Sequence, residues 1–142
     1  MRTHLVALAG AAVLACGGCS RSTDSSDVAG REQSAKAFQD AEAALEQDDF
    51  ARAKDLFDQA IAAGHLSIDA IGSAYAGRAV CLAELGQFDA AHADLDQMEQ
   101  APNQGTILAA RSYVLEKKGK QREERNAWSR ARRFNPSVAM YT

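Results

Sequence analysis

Apolar residues recur at helical spacing along most of the chain, and runs of β-branched residues are absent. The pattern is clearest over residues 74–103. Tyr75, Ala79, Leu82 and Leu85 share one face of a helix that stops at Gly86. Phe88 follows two residues later, and Ala91, Leu95 and Met98 continue a second amphipathic helix that ends at Pro102-Asn103. Glycine at the stop permits the left-handed turn. Ala79 and Ala91 let the two helices approach closely, while Leu82, Phe88 and Leu95 fill the seam. The segment predicts a helical hairpin.

The same series recurs on both sides. Ala37, Ala41 and Ala44 take the first-helix positions upstream, Asp48 stands in for the turn glycine, and Phe50, Ala53, Phe57 and Ala60 form a second helix ending at Gly64. Downstream, Leu108, Ser112 and Leu115 lead to a turn at Gly119. Trp128 and Ala131 follow, and Asn135-Pro136 closes the copy. Phe57, Leu95 and Trp128 are equivalent positions, 38 and 33 residues apart. The four extra residues of the first interval are placed as one added turn before Tyr75, from Ser67 or Ile68.

This succession of small and bulky residues, with a period near 34, resembles the tetratricopeptide repeat over residues 33–136. The resemblance implies an all-α fold, a short solenoid of about three helical hairpins. The third copy departs from the motif, with Gln121 in place of an aromatic and Glu124 in place of alanine. A glutamate buried at that crossing would be costly. The last helix is therefore expected to splay, or to rotate so that Glu124 meets an arginine. After it come only residues 137–142, with Val138, Met140 and Tyr141, where a repeat array ordinarily ends in a polar capping helix. This tail is expected to be partly ordered and to give modest cover to the apolar face of the last helix; otherwise that face is left for a partner.

The N-terminus carries a different signal. A short basic start containing Arg2 precedes eleven uncharged residues, Leu5–Ala15, too short to span a bilayer and typical of a secretory signal. Val13-Leu14-Ala15-Cys16 resembles a bacterial lipobox, in which the cysteine receives acyl chains (palmitate among them) and becomes the new N-terminus. Cys16 is the favoured lipidation site and Cys19 the alternative; an ordinary cleaved signal is the remaining reading. Residues 1–15 are thus read as signal peptide, and 16–32 as lipidated N-terminus and flexible tether. The resemblance implies a lipid-anchored envelope protein facing the periplasm, on the outer membrane in a Gram-negative cell.

Charge and chemistry narrow the function classes. The net charge is −3, but residues 32–100 hold fourteen acids against four bases, and residues 101–142 three acids against nine bases. Cys81, among Val80, Leu82 and Leu85, reads as a small buried apolar residue. Outside the signal segment, His65 and His92 have no histidine or cysteine at ligand spacing, so no metal site is expected. Carboxylates such as Glu42, Glu46, Asp55 and Asp58 read as solvated helix faces, so neither a catalytic constellation nor a cofactor is expected.

The repeat resemblance implies instead a concave groove, lined by first helices, that takes a protein segment. Its positions map to Phe38, Glu42, Leu45, Ala76, Val80, Glu84, Ala109, Tyr113, Glu116 and Lys117, with Ala83 also facing inward. Phe38 and Tyr113 are expected to be exposed anchors. The subfamily that grips C-terminal carboxylates with lysine and asparagine is disfavoured, because Phe38, Glu42, Ala76 and Val80 occupy those places. The expected function is a membrane-tethered adaptor or assembly factor. An alternative is a scaffold that self-associates through its acidic half and a basic end of Arg122, Arg125, Arg130, Arg132 and Arg133; a less favoured one is an envelope enzyme. For an exported protein, nucleic acid is not an expected partner.

Overall fold

The computed structural model describes residues Ser25–Tyr141. The signal segment, Cys16, Cys19 and Thr142 lie outside the described residues. Within them the protein is all-helical: α1 (Ser25–Leu45), α2 (Phe50–Ala63), α3 (Ile68–Glu84), α4 (Phe88–Gln97), α5 (Gln104–Lys117) and α6 (Gln121–Phe134). Successive helices pack as hairpins α1–α2, α3–α4 and α5–α6. In addition α3 packs on α1, α2 and α5, and α4 on α5.

The three hairpins turn by one hydrogen-bond pattern. Asp49, Gln87 and Lys120 donate their N–H groups to the carbonyls of Ala44, Leu82 and Leu115, five residues back. The preceding residues, Asp48, Gly86 and Gly119, donate to Leu45, Ala83 and Glu116 and hold φ of 58°, 75° and 78°. This is the left-handed helix stop that satisfies the last carbonyls of a helix. Asp48 adopts it without the freedom of glycine, a conformation that aspartate tolerates better than most residues. The added turn before Tyr75 is also present. Ser67 caps α3, its hydroxyl accepting from the Ala70 N–H at 3.2 Å, and α3 reaches 17 residues.

Small residues let the helices close on one another. Ala41, Ala53, Ala74, Ala79, Ala91 and Ala131 are fully buried. Gly77 on α3 closes on the tip of the Phe57 ring, where any Cβ would collide with it. The next residue, Arg78, ties three helices together. It grips Asp94 of α4 through Nε and Nη2 at 2.7 and 2.6 Å, and Asp58 of α2 through Nη1 at 2.6 Å. Lys54 adds a second cation to Asp58 at 2.9 Å, and the Arg78 guanidinium lies 4.9 Å from the centre of the Tyr75 ring. Burial pushes the Asp58 carboxyl up, but the bonds from Lys54 and Arg78 outweigh it and hold the group below its ordinary value.

Two expectations need correction. The tether to residue 32 does not extend that far, because α1 already begins at Ser25. Ser34, fully buried, donates its hydroxyl to the Ala60 carbonyl, and Gly30 closes against the His65 ring, so this first stretch packs on the end of α2. Nor does the last helix splay. Ala127 and Ala131 form a buried stripe along α5, and Glu124 lies half-buried at its edge, with no arginine partner among the described residues. A partly solvated carboxylate in the first turn needs none, since the helix N-terminus favours negative charge.

Candidate functional site

Helices α1, α3 and α5 share one face of the molecule, and the chain leaving α6 crosses back over it. Asn135 ends α6 and folds the backbone: its side-chain oxygen accepts from Ser137 N–H at 3.0 Å and its carbonyl from Val138 N–H at 3.1 Å. Val138 then packs near Trp128, on Leu108, Ala109 and Ala131, and so gives the last helix the cover expected of it. Tyr141 goes further. Its ring meets Tyr113 edge to face, with centroids 6.1 Å apart at 63°. Burial pushes its phenol up to about 12, and the Glu42 charge adds to the shift.

Beside this contact lies an open cavity of about 490 Å³. Leu45, Phe50, Phe57, Val80, Tyr113 and Tyr141 supply its apolar and aromatic lining. Its charged lining is Glu42, Glu46 and Asp48, all acidic. Burial, then the neighbouring Glu46, raises the Glu42 carboxyl above its ordinary value. At the α3–α5 border, the Tyr113 hydroxyl donates to Glu84, and Lys117 meets the same carboxylate at 2.7 Å while standing 5.1 Å above the Tyr113 ring. Burial raises Glu84, but hydrogen bonds from Lys117 and Tyr113 prevail and hold it below its ordinary value.

The ten expected groove positions therefore divide. Glu42, Leu45, Val80 and Tyr113 line the cavity, and Glu84 and Lys117 complete the cluster next to it. Ala76 and Ala109 are fully buried between helices and present no surface, and Ala83 is 3% exposed. Glu116 is exposed and lines no cavity with them. The two aromatics expected as free anchors are not free. Tyr113 is only 4% exposed, held by Glu84 and covered by Tyr141, while Phe38 is half-buried, edge-on to Phe57 at 6.0 Å. A ring on an inward helix face satisfies itself against whatever apolar surface is nearest.

Tyr141 is the residue the groove mapping left out. The signal was an apolar tail after the last helix, but no periodicity tells which surface such a tail will choose.

The basic end stands apart. Arg122, Arg125, Arg130, Arg132 and Arg133 are all exposed on α6, and among the described residues none forms an ion pair. Phe134 beside them is 63% exposed. Arg111, by contrast, pairs with Asp96 at 2.8 Å. Among the described residues no group of histidine, cysteine and carboxylate side chains is arranged to hold a metal ion, and no helix is long and apolar enough to cross a membrane. No protein-family model matches this chain, and neither curated proteins nor solved structures give a match.

Proposed function

We propose that this chain is a protein-interaction adaptor of the bacterial cell envelope, built as a short tetratricopeptide-like array and anchored by acylation of Cys16 (or Cys19). The repeated turn at Asp48, Gly86 and Gly119 supports the array reading. The observation that carries the docking reading is the groove itself: an irregular segment, without helix or strand, already lies along the first helices with an aromatic ring seated on Tyr113. A face that holds one extended segment has the shape and apolar surface to hold another. Anchoring would concentrate the domain at the membrane and raise its effective affinity for envelope partners.

The test is site-specific photo-crosslinking in living cells, with the crosslinker placed at Glu42 in the groove or at Asp55 on the outer face of α2. Adducts from Glu42 alone support the groove; equal adducts from both sites, or none, remove it. Incorporation of an acyl label that is lost in Cys16→Ser tests the anchor, with Cys19→Ser as the alternative.

A second reading, self-association, rests on the unpaired arginines of α6 and the acidic α1–α4 region. It requires a sedimenting mass that grows with concentration and falls with salt. A monomer at all salt concentrations excludes it.

A further inference from the structure

The segment in the groove occupies it without matching it. Among the described residues, Ala139–Tyr141 form no hydrogen bonds, so side chains alone hold this stretch. Clefts open to solvent, of about 490 Å³ and about 340 Å³, border it and leave room for further side chains beside the Tyr141 ring. Charge is unmatched as well: Glu42, Glu46 and Asp48 line the groove, no lysine or arginine joins them there, and Ser137–Tyr141 contains no cation. The occupant thus supplies the ring that Tyr113 receives and nothing for the acidic wall.

We propose that the slot beside Tyr113 is a receptor for an extended peptide bearing an aromatic side chain flanked by lysine or arginine, and that Tyr141 is a weaker resident occupant which such a peptide displaces. The proposal rests on the groove being a docking face. The incoming ring takes over the edge-to-face contact, and its cations meet Glu42 and Glu46. The resident segment reduces apparent affinity by the fraction of time the slot is open, so removing the Tyr141 ring raises affinity without adding a contact. Tyr141 would then act as a threshold, admitting peptides that bring both the ring and the charge.

The test uses the full chain and a fluorescein-labelled probe peptide, Lys-Ala-Lys-Tyr-Lys-Ala, followed by anisotropy. Tyr141→Ala is expected to bind the probe at least about tenfold more tightly than the native chain, and Tyr141→Phe, which keeps the ring, to bind as the native chain does. Replacing the probe's tyrosine with alanine, or its lysines with glutamates, is expected to abolish binding. Glu42→Gln with Glu46→Gln should weaken binding and flatten its salt dependence. Unlabelled Ser-Val-Ala-Met-Tyr-Thr should compete on the alanine variant. Tyr141→Leu keeps an apolar cover over Tyr113 and should give an intermediate gain; it replaces the alanine variant if that one loses helicity.

Equal affinity for the native chain and for the alanine and leucine variants of Tyr141 overturns the displacement. Binding of the glutamate peptide as tight as that of the probe, or no binding of the probe to any variant, overturns the assigned peptide class. If Glu42 crosslinks a partner in cells while those results hold, only this inference falls. If Glu42 crosslinks nothing and no peptide binds, the docking reading falls too.

Discussion

Hairpins α3–α4 and α5–α6 reverse the chain with the same two hydrogen bonds and the same left-handed glycine, yet they use charge in opposite ways. In α3–α4, Arg78 and Asp94 face each other, largely withdrawn from water, and bind bidentately across the hairpin while Asp58 joins them from α2. Charges placed there lock neighbouring elements in register. In α6 five arginines point outward with no partner among the described residues, and cohesion with α5 comes from the alanine stripe of Ala127 and Ala131. One hairpin is held by charge and the other merely displays it. Like charges gathered on one face repel each other, so this charge adds nothing to the cohesion of the hairpin.

The largest expected effect breaks this comparison at its centre. Arg78→Met leaves Asp94 buried without its cation and should cost about 3–5 kcal/mol in urea unfolding. A loss below about 1 kcal/mol would show that the cluster is decoration. The low-lying Asp58 and Glu84 carboxyls add a pH signature. Each is held below its ordinary value (3.8 and 4.5), so its contribution is present above that value and lost as the pH falls through the lower folded value. Arg78→Met removes this contribution at Asp58 and leaves that of Glu84, whose partners are Lys117 and Tyr113, so the stability gap between variant and native chain should narrow as the pH falls below 3.8.

The shared turn gives the next effect. Gly86→Ala forces a Cβ into a left-handed position and should cost about 1–2 kcal/mol. Asp48→Gly relieves the corresponding strain and should raise the thermal midpoint by a few degrees. If both substitutions lower it, the turns are not equivalent.

How much of this was legible in the sequence follows the range of each interaction. The turns at Asp48, Gly86 and Gly119, the added turn at Ser67 and the seams of alanine were readable, because local spacing determines them. Cys81 also reads correctly as a packed apolar residue. What failed depended on where surfaces meet. Ser25–Arg31 looked like tether by composition, but Gly30 and Ser34 find partners more than 25 residues away. Tyr113 looked like an exposed anchor because its cover comes from Tyr141, which lies in the irregular stretch after α6. Side-chain pairs such as Arg78–Asp94 were not anticipated at all; nothing in a run of surface-type charges marks the two that turn toward each other.

Smaller effects sharpen the contrast between hairpins. Changing Arg125, Arg132 and Arg133 together to glutamine should alter stability by no more than ~0.5 kcal/mol, the range of exposed substitutions. A loss as large as that of Arg78→Met would mean these side chains hold the fold after all. The smallest effect belongs to Glu42. Its raised carboxyl contributes stability below its ordinary value of 4.5 that disappears as the pH rises through the folded value. Glu42→Gln should therefore be slightly more stable than the native chain at pH 7, by less than ~0.5 kcal/mol, and the two should converge near pH 4.

Cys81 has a practical consequence. It is fully buried in the packing of α1, α2 and α3, and burial pushes its thiol up to about 12, so in the closed molecule it is both unreachable and un-ionised. A maleimide can attack it only while the helices part, so with Cys16 and Cys19 changed to serine, the labelling rate counts those openings. The body of the protein carries its own clock for the motion that every other experiment must infer.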